Sequence, residues 1–322
     1  MKRRDFIANN LVLGGAAVIP GASMGLYDQQ NPQQTQTQPE VVIERVRDDK
    51  PHAGKVLAVI QPHCDDIPLY AAGLVAKLIY EGYTGYLIRT SNDEAAGLGN
   101  TYGERILNNE NDNFEVAKIL GLKKTYDLHY ANHRMEQYNI QEIKGRLIFL
   151  FRMLKVDTLV SYDPYGLYEE NPDHYVTARA VEAARWQAAA VADYPEQLDI
   201  LQPYTVREMY YHARGPQIIN RVVDISRFID KKIEVNVSNV TQGPAGNTGA
   251  NLRRRLANEG RRLPILGDDD KTANYNYTKE FVLARDRENG AKYGLEWAEC
   301  FHYIGPRPSR VEAYIRENAV PL

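Results

Sequence analysis

The sequence has few cysteines and no excess of charge of either sign. Only two cysteines, Cys64 and Cys300, occur in 322 residues, so the chain is not a disulfide scaffold, although one bridge between the two stays an open alternative. The 39 basic and 42 acidic residues leave a formal net charge of -3. Because so small a charge creates no field that attracts nucleic acid or an anionic membrane, we expect neither partner.

Long apolar runs are also missing. Near the N-terminus, the apolar segment from Leu11 to about Ala22 is shorter than the ~20 residues that a membrane span requires. It follows the basic start "MKRRDF" and precedes small residues, which is typical of a cleaved export signal over residues 1–25. The paired Arg3 and Arg4 resemble the twin-arginine type, so we expect a periplasmic or secreted protein with no stable membrane span in the mature chain. An N-terminal membrane anchor is the alternative.

The segment after the signal has no apolar periodicity. The stretch "QQNPQQTQTQPE" cannot bury enough surface to offset chain entropy, so residues 26–50 are predicted to form a flexible linker. Of the whole chain, 43% is hydrophobic, which is enough for a large core in the remainder. We expect residues 51–322 to form a single catalytic α/β domain that begins to fold near Lys55.

From Lys55 onward, short apolar runs alternate with longer segments of helical period. Strands are predicted at "KVLAVI", "GYLIRTS", "TYDLHY" and "DTLVSYD", and helices at "IPLYAAGLVAKLIYEG", "GERILNNENDNFEVAKILG", "IQEIKGRLIFLFRMLK" and "HYVTARAVEAARWQAAAVA". Beyond Pro203, "REMYYHA" and "RVVDIS" are predicted strands near a sheet edge, and the last segment is predicted to be partly helical. The alternation predicts a mostly parallel sheet with helices on both faces.

Two polar clusters directly follow predicted strands. "PHCDD" follows the first strand, and "YDPYGLYEENPDHY" follows the strand "DTLVSY". Because ligands bind at the carboxyl edge of an open parallel sheet, we expect both clusters on the same rim. No Gly-x-Gly-x-x-Gly turn follows the first strand, so a dinucleotide would have no pyrophosphate cradle there, and that function is disfavoured.

The residue types in these clusters are those of a catalytic zinc site. His63 and Asp66 are three apart at the start of a predicted helix, and His174 opens another helix on the same rim. Two imidazoles and one carboxylate with an open fourth position form a catalytic zinc ligand set. A zinc ion lowers the pKa of its bound water to ~7 and can polarise a carbonyl oxygen. Asp65, the remaining carboxylate, is available to take the proton of that water. These residues therefore predict hydrolysis at a carbonyl. The alternative is that the histidines are core residues and the aspartates only cap helices.

The motifs resemble those of a known family. "PHCDD" followed by "PLYAAG" resembles the His-Pro-Asp-Asp motif of the PIG-L/LmbE-like N-acetylglucosaminyl deacetylases, and "NPDHYVTARAV" resembles their second, histidine-bearing motif. Four further segments resemble the same family: "TSNDEAAGLG", "RILNNENDNFEVAKILGL", "DISRFIDKKIEVNVSNVTQ" and "WAECFHYI". The resemblance therefore runs from about Lys55 to Ile304. It implies a Rossmann-like three-layer α/β/α fold with a mostly parallel sheet.

The resemblance also implies an activity and a set of residues. Members of the family hydrolyse N-acetyl groups, typically from N-acetylglucosamine attached to another moiety, with a divalent zinc. By position, His63, Asp66 and His174 match the metal ligands. Asp65 matches the general base, and Asp173 matches a carboxylate next to the ligand histidine.

The sequence departs from the family pattern at three positions. Cys64 stands where proline is usual, Ile67 where an acid is common, and Asn171 where many members have a histidine that stabilises the oxyanion or acts as an acid. An asparagine amide donates a hydrogen bond but cannot donate a proton. Either Asn171 keeps only the electrostatic part of this catalytic role, or His133 or His129 supplies the acid, or activity is weak.

Substrate contacts are predicted from loops near the rim. Asn92, Asp93, Glu94 and Arg105 are candidates for binding substrate hydroxyls. The chain has 22 tyrosines against seven phenylalanines, and Tyr162 and Tyr168 are among those near the rim. Their amphipathic rings suit sugar faces, although a tyrosine-rich surface and core explains them equally well.

Three functions are consistent with these residues. The first is an exported zinc-dependent hydrolase that removes an N-acetyl group from an N-acetylglucosamine-type sugar or conjugate. The second is an amidase that acts on another acylated conjugate. The third is a noncatalytic glycan-binding protein of the same fold that has lost turnover through the change at Asn171.

Overall fold

The structure of the chain is a computed structural model that describes residues 40–306 and 309–321. The predicted export signal, residues 1–25, and the predicted linker up to residue 39 lie outside the described residues. Both stay predictions.

The described residues form eight strands in one sheet. The strands are β1 (Val42–Glu44), β2 (Val56–Gln61), β3 (Thr84–Ser91), β4 (Lys124–Tyr130), β5 (Thr158–Tyr162), β6 (Glu208–His212), β7 (Arg221–Asp224) and β8 (Ala298–Ile304). Their order across the sheet is β1-β7-β8-β6-β5-β2-β3-β4. Every pair is parallel except the two that β8 makes with β6 and β7. The predicted mostly parallel sheet is confirmed.

Ten α-helices occur in the described residues. They are α1 (Asp66–Tyr70), α2 (Ala72–Tyr80), α3 (Tyr102–Leu120), α4 (Ile140–Leu154), α5 (Pro172–Gln187), α6 (Ile229–Ser238), α7 (Thr248–Asn258), α8 (Asp270–Tyr277), α9 (Ala284–Lys292) and α10 (Arg310–Asn318). None of these described helices has both the length and the hydropathy needed to cross a membrane.

The central strand β2 shows why both faces of the sheet are covered. Successive side chains of a strand point to opposite faces, and all of Leu57, Ala58, Val59 and Ile60 are apolar. Leu57 and Val59 join one core with residues of α2, α3 and α6, whereas Ala58 and Ile60 join a second core with residues of α4 and α5. A strand that is apolar on both sides requires helices on both faces, which confirms the predicted three-layer α/β/α architecture.

The folded domain begins earlier than the sequence predicts. Val42–Glu44, assigned to the flexible linker, form the edge strand β1, which pairs in parallel with β7. Lys77, buried in α2, donates a hydrogen bond to Glu44 Oε1 at 2.7 Å. The linker prediction is wrong for these residues. A strand of three residues is too short to show an alternation of apolar and polar residues, and its stability comes from pairing with a strand far away in the sequence.

The C-terminal part of the sheet also differs from the prediction. The last segment is partly helical, as α9 shows, but its end forms β8, which inserts between β6 and β7. β6 is therefore an interior strand, and its predicted place near a sheet edge is wrong. The partners of β8 lie more than 70 residues earlier in the chain, so local periodicity gives no signal of this insertion.

The strand order opens a crevice beside β2. β3 lies on one side of β2 and β5 on the other. In an open parallel sheet such a reversal of strand order leaves a crevice at the carboxyl ends of the strands. The loops after Gln61 of β2 and Tyr162 of β5, which carry the two polar clusters, meet at this crevice.

A buried ion cluster fixes the helix that follows the crevice. Glu299 on β8 accepts hydrogen bonds from the N–H groups of Gly73 and Leu74, at the start of α2, at 2.9 and 2.7 Å. Lys232 Nζ on α6 lies 2.7 Å from Glu299 Oε1 and 2.6 Å from Asp286 Oδ2 on α9. Because all three charged side chains are buried, the cluster ties α2, α6 and α9 to the sheet.

Replacing Lys232 with methionine is expected to lower the free energy of unfolding by ~3–5 kcal/mol, because two buried carboxylates lose the cation that compensates them. Chemical denaturation measures the loss. Lys231→Met, at the exposed neighbouring position, is the matched control and is expected to change stability by less than ~0.5 kcal/mol. Equal stability of Lys232→Met and the unchanged protein would contradict the role of the cluster.

Candidate active site

His63 and Asp66 face the crevice at the junction of β2 and α1. Asp66 Oδ2 accepts a hydrogen bond from the His63 backbone N–H at 2.8 Å and lies 3.4 Å from His63 Nδ1. Both side chains are buried. The three-residue spacing across the start of α1 thus brings an imidazole and a carboxylate together.

His174, in the first turn of α5, completes this group. The Asn171 side chain caps α5 by accepting a hydrogen bond from Asp173 N at 3.0 Å, which sets where the helix begins. His174 Nε2 lies 3.0 Å from His63 Nδ1 and 3.4 Å from Asp66 Oδ1. The ligand atoms of His63, Asp66 and His174 all lie within 4.8 Å of one another, so the three residues can hold a metal ion.

The donor set of this group fits zinc. Two imidazole nitrogens and one carboxylate oxygen converge on one point, and this set is typical of catalytic zinc sites. All three residues are buried, and the negative charge of Asp66 is costly to bury without a compensating positive charge. The group is called the His63–Asp66–His174 group below.

Asp173 orients the His63 ring. Its Oδ2 lies 3.0 Å from His63 Nε2 and also accepts hydrogen bonds from His133 N at 2.7 Å and Asn132 Nδ2 at 3.0 Å. Burial lowers the pKa of His63, but the hydrogen bonds to Asp173 and Asp66 outweigh it and raise that pKa well above its usual value. Asp173 therefore fixes His63 with its Nδ1 toward the ligand group, as carboxylate partners of metal-binding histidines do.

His174 has a different carboxylate partner, which the sequence did not reveal. Glu169 Oε1 lies 3.1 Å from His174 Nδ1, and Arg214 donates hydrogen bonds to Glu169 at 2.8 and 3.2 Å. Burial opposes ionisation, but His174, the Asn171 N–H and Arg214 together lower the pKa of Glu169 to about 2. Glu169 lies within the polar cluster "YEENPDH", and this position is the sequence signal that points to it. No motif near Arg214 indicates that this residue belongs to the site.

Tyr162, at the end of β5, packs against the His63–Asp66–His174 group. Its hydroxyl donates a hydrogen bond to Asp66 Oδ1 at 2.7 Å, and its ring stacks on His174 with centroids 4.2 Å apart. Burial raises the pKa of Tyr162 well above its usual value, so the hydroxyl stays a donor. Tyr162 is therefore a buried support, and its prediction as a ring for sugar stacking is wrong.

Asp65 borders the crevice with a carboxylate that is not spent on helix capping. It occupies the N-cap position of α1, but its side chain makes no capping hydrogen bond. Burial and the negative charge of Asp66 raise the pKa of Asp65 to about 7. Gly243, with φ of +89°, lies against it, and a Cβ at Gly243 would come within 3.1 Å of Asp65 Oδ2. The positive φ and this close approach both favour glycine at position 243. A carboxylate with so raised a pKa suits a general base.

Asn171 and His133 line the same cleft, which has a volume of about 350 Å³. Asn171 uses its side-chain oxygen to cap α5, which leaves its amide NH2 as a donor. His133 is exposed, with its ring centroid 6.1 Å from that of His63. The other candidate acid, His129, lies 3.7 Å from Glu110 Oε1 and is not among the residues that line the cleft.

A larger, open groove of about 740 Å³ lies beside β4 and α4. Tyr126, Arg146 and Phe149 line it, but the His63–Asp66–His174 group does not. We place the chemistry in the smaller cleft because the convergent ligand atoms and the raised pKa of Asp65 occur there.

The predicted substrate contacts Asn92, Asp93 and Glu94 do not line the cleft. Asp93 is fully buried, and its Oδ2 accepts hydrogen bonds from Arg89 at 3.0 Å and from Cys64 N at 3.3 Å. The prediction of Asp93 as a substrate contact is wrong, because its carboxylate is fully buried and is hydrogen-bonded to Arg89 and to the backbone of the "PHCDD" loop. Asn92 is occupied by hydrogen bonds from the backbone of Glu94 at 3.1 Å and of Asn132 at 3.3 Å.

Arg105 and Tyr168 also lie away from the cleft lining. Arg105 Nε donates a hydrogen bond to Gly99 O at 3.1 Å. Tyr168 is 86% exposed on the loop between β5 and α5. The cleft is lined instead by Tyr70, Arg214 and Gln242, which come from segments that sequence reasoning did not connect with the site.

Both cysteines, which lie in the described part of the chain, are free thiols. Cys64 is buried, with its Sγ 3.2 Å from Asn109 Oδ1 and 3.3 Å from Asn239 Oδ1, and Gln242 Nε2 donates to it at 3.1 Å. The thiol is thus held beneath the loop. It is not part of the His63–Asp66–His174 group.

Part of the chain resembles a known protein family. Residues 58–185 match the model described as PIG-L: GlcNAc-PI de-N-acetylase. The matched range includes the "PHCDD" loop, β5 and the start of α5, and therefore every residue of the ligand group. Over these residues the chain is similar to the PIG-L family, as the sequence predicts, and the predicted enzyme class, a hydrolase of the N-deacetylase type, is confirmed.

Similar proteins agree with this resemblance. A diacetylchitobiose deacetylase of Thermococcus kodakarensis is 24% identical over 194 residues, which cover 59% of this chain and 71% of the relative. The solved structure of N,N'-diacetylchitobiose deacetylase from Pyrococcus horikoshii has a TM-score of 0.63 at 21% identity and covers 80% of this chain and 86% of that chain.

The same fold also carries different chemistry. The solved structure of 4-carboxy-2-hydroxymuconate hydratase from Pseudomonas putida KT2440 has a TM-score of 0.57 at 17% identity and covers 80% of this chain and 98% of that chain. Because this similarity concerns the fold alone, the reaction of the present chain has to be argued from its site.

Asp173→Asn is expected to weaken zinc binding by ~10–100-fold, because the carboxylate that orients His63 loses its charge. Competition titration with a fluorescent zinc chelator measures the affinity. Glu182→Gln, which removes a carboxylate from the same helix two turns away, is the matched control and is expected to leave zinc binding unchanged. Unaltered affinity in Asp173→Asn would contradict the positioning role.

Proposed function

We propose that the protein is an exported, zinc-dependent hydrolase that removes the N-acetyl group from an N-acetylglucosamine-type sugar or conjugate. The observation that carries this proposal is the convergence of His63, Asp66 and His174 in one cleft, with the Asp65 carboxylate beside them. The description of the family and the activity in the names of the similar proteins support the choice of substrate.

His63, Asp66 and His174 would hold the zinc ion. When bound, the ion supplies a Lewis acid that polarises an amide carbonyl and makes a water more acidic. Asp173 and Glu169 hold the two imidazoles in place, at 3.0 Å from His63 Nε2 and 3.1 Å from His174 Nδ1.

Three further residues of the cleft transfer protons or stabilise the charge that develops on the substrate. Asp65 takes the proton of the attacking water, since its carboxylate borders the cleft and has a raised pKa. The Asn171 NH2 donates a hydrogen bond to the carbonyl oxygen as negative charge develops on it. Because an amide cannot give up a proton, His133, which lines the cleft, donates the proton to the leaving amine.

A noncatalytic glycan-binding protein is the second candidate, and the amide at Asn171 is the observation that favours it. An amidase that acts on another acylated conjugate would use the same residues. Measured turnover distinguishes the noncatalytic glycan-binding protein from the proposed deacetylase. A panel of substrates with different acyl groups distinguishes the amidase from it.

Asp65→Asn is expected to lower kcat for acetate release from N-acetylglucosamine conjugates by ~10²–10⁴-fold, because the amide cannot accept the proton of water. Removal of metal with a chelator is expected to abolish the release, and added zinc to restore it.

Asp199→Asn, at an exposed position outside the cleft, is the matched control and is expected to keep full activity. Acetate release that persists after complete metal removal, or that is unaffected by Asp65→Asn, would rule out this mechanism. Sugar binding without any product would favour the noncatalytic alternative.

The proposed export depends on residues 1–25 of the sequence. Changing both Arg3 and Arg4 to lysine is expected to hold most of the protein inside the producing cell, because the twin-arginine route requires the pair. Cell fractionation with immunoblotting measures the distribution, and Arg45→Lys is the control. Unchanged export of the double variant would contradict the proposed route, and an uncleaved chain in the membrane fraction would identify an anchor.

A further inference from the structure

The helix α10 has an apolar side that is exposed in the described part of the chain. None of its nine residues is buried. Val311 is 66% exposed, Tyr314 67% and Ile315 46%. Their i, i+3, i+4 spacing places these side chains on one side of the helix, so they form a continuous apolar surface. This surface is called the Val311–Tyr314–Ile315 face below.

The Val311–Tyr314–Ile315 face is turned away from the rest of the described chain. Ala313 is the one residue of α10 that is partly covered. An α-helix has 3.6 residues per turn, so residues two apart lie on nearly opposite sides of it. Ala313 is two residues from both Val311 and Ile315. The described chain therefore covers α10 on the side opposite its apolar face.

The sequence defines both ends of α10, but the helix is short. Ser309 is the N-cap, and its side chain accepts a hydrogen bond from Glu312 N at 3.1 Å. After Asn318 the backbone is extended at Ala319, and Pro321 follows. Isolated helices of fewer than ~12 residues are marginal in water, and packing of an apolar face supplies most of the stability of helices in proteins. A stable α10 therefore requires a partner for its apolar face.

The charges beside this face match a second copy of the same helix. Arg310 and Glu317 are exposed and lie seven residues apart, which is close to two turns, so they share one flank of the face. An antiparallel pair of α10 helices places Arg310 of each copy beside Glu317 of the other, and the two-fold symmetry forms both ion pairs at once. A parallel pair would bring neither residue beside an opposite charge.

The net charge of α10 disfavours a lipid surface as the partner. The helix carries two arginines, Arg310 and Arg316, and two glutamates, Glu312 and Glu317. Amphipathic helices that bind anionic membranes are rich in Lys and Arg on their polar side. Because the four charges of α10 cancel, no electrostatic attraction to such a membrane adds to the effect of three apolar side chains.

The chain leaves the sheet at the edge away from the crevice. β8 is antiparallel to β6, and Ile304, its last residue, pairs with Met209 at the start of β6. The crevice lies at the carboxyl ends of the parallel strands, so β8 ends at the opposite edge of the sheet. α10 begins six residues after Ile304, and none of its residues lines the cleft. Pairing through α10 therefore uses no residue of the candidate active site.

We propose that α10 is a pairing element through which two copies of this chain form an antiparallel, two-fold symmetric dimer. The two Val311–Tyr314–Ile315 faces pack against each other, and Arg310 and Glu317 form two equivalent ion pairs at their rim. Stable interfaces bury about 1,200–2,000 Å² in total, and two helices of this length bury less. The dimer is therefore reversible and depends on protein concentration. This inference is independent of the proposed function.

Reversal of charge tests the antiparallel arrangement. Arg310→Glu and Glu317→Arg are each expected to raise the dissociation constant of the dimer by ~10-fold, because two attractions become two repulsions. The double variant, Arg310→Glu with Glu317→Arg, exchanges the charges and is expected to restore association. Because residues seven apart do not touch within one helix, this rescue reports a contact between copies. Sedimentation velocity over a series of protein concentrations measures the dissociation constant.

Arg316→Glu is the matched control for the charge variants. It makes the same change in the same helix, but on the side away from the Val311–Tyr314–Ile315 face. We expect the dissociation constant to stay unchanged. A double variant that associates no better than Arg310→Glu and Glu317→Arg singly, or an equal effect of Arg316→Glu, would overturn the antiparallel pairing.

Tyr314→Glu tests the apolar face independently of the ion pairs. It is expected to leave the protein monomeric, because the new carboxylate would be buried in the interface without a partner. Phe114→Glu, at an exposed position on α3, is the control and is expected to keep the dimer. Thermal unfolding of each variant, measured at a concentration where the protein is monomeric, is expected to stay unchanged, since α10 has no buried residue within one chain.

Other occupants of the face give different results. A protein that is monomeric at every concentration, or an association that Tyr314→Glu leaves unchanged, overturns the proposal. Association that is weakened by Phe149→Glu but not by Arg310→Glu would place α10 in the groove beside β4 and α4, and this also overturns it. Co-sedimentation with vesicles of phosphatidylglycerol and phosphatidylcholine that Tyr314→Glu abolishes would identify a lipid surface as the partner instead.

Discussion

The site depends on the carboxylate of Asp66. It accepts a hydrogen bond from the backbone of His63 at 2.8 Å and another from the hydroxyl of Tyr162 at 2.7 Å, and it faces both imidazoles at 3.4 Å. One buried anion thereby joins the end of β2, the end of β5 and the first turn of α5. Because burying an uncompensated charge is costly, the position of every neighbour is constrained by the need to satisfy it. A cation at the same point would help to satisfy this charge.

The carboxylates around the two histidines show a crossed arrangement. Asp173, adjacent to His174 in the chain, pairs with His63, whereas His174 pairs with Glu169, which Arg214 holds from the loop after β6. Each imidazole thus has a fixed orientation that is set by an element other than its own neighbour in sequence. Because each ring is held by a carboxylate, the two rings would lose less freedom on binding an ion at their inward-facing nitrogens.

The similar structures separate fold from chemistry. A deacetylase and a hydratase share this architecture with the present chain, so the sheet and its helices do not define a reaction. The residues that bear on the reaction of this chain lie in the cleft, where an asparagine occupies the helix-capping position and an exposed histidine comes from a separate loop. Asn171 caps α5 with its side-chain oxygen, and its amide nitrogen remains a donor at the cleft. Because asparagine is among the residues preferred at a helix N-cap, the amide at this position costs the helix nothing.

The sequence by itself determined the alternation of strands and helices and the rim on which the site lies, because apolar periodicity and the place of a polar cluster after a strand are local properties. It also predicted His63, Asp66 and His174 as one group, and the structure brings these three residues together. The sequence misplaced β1, β8 and the substrate contacts, since edge pairing, strand insertion and the direction in which a loop turns depend on partners far away in the chain. Only the tertiary structure decided that Asp93 is buried against Arg89 and that Glu169 holds His174. Each of these depends on a side chain meeting a distant segment, and such contacts form only when the sheet has assembled.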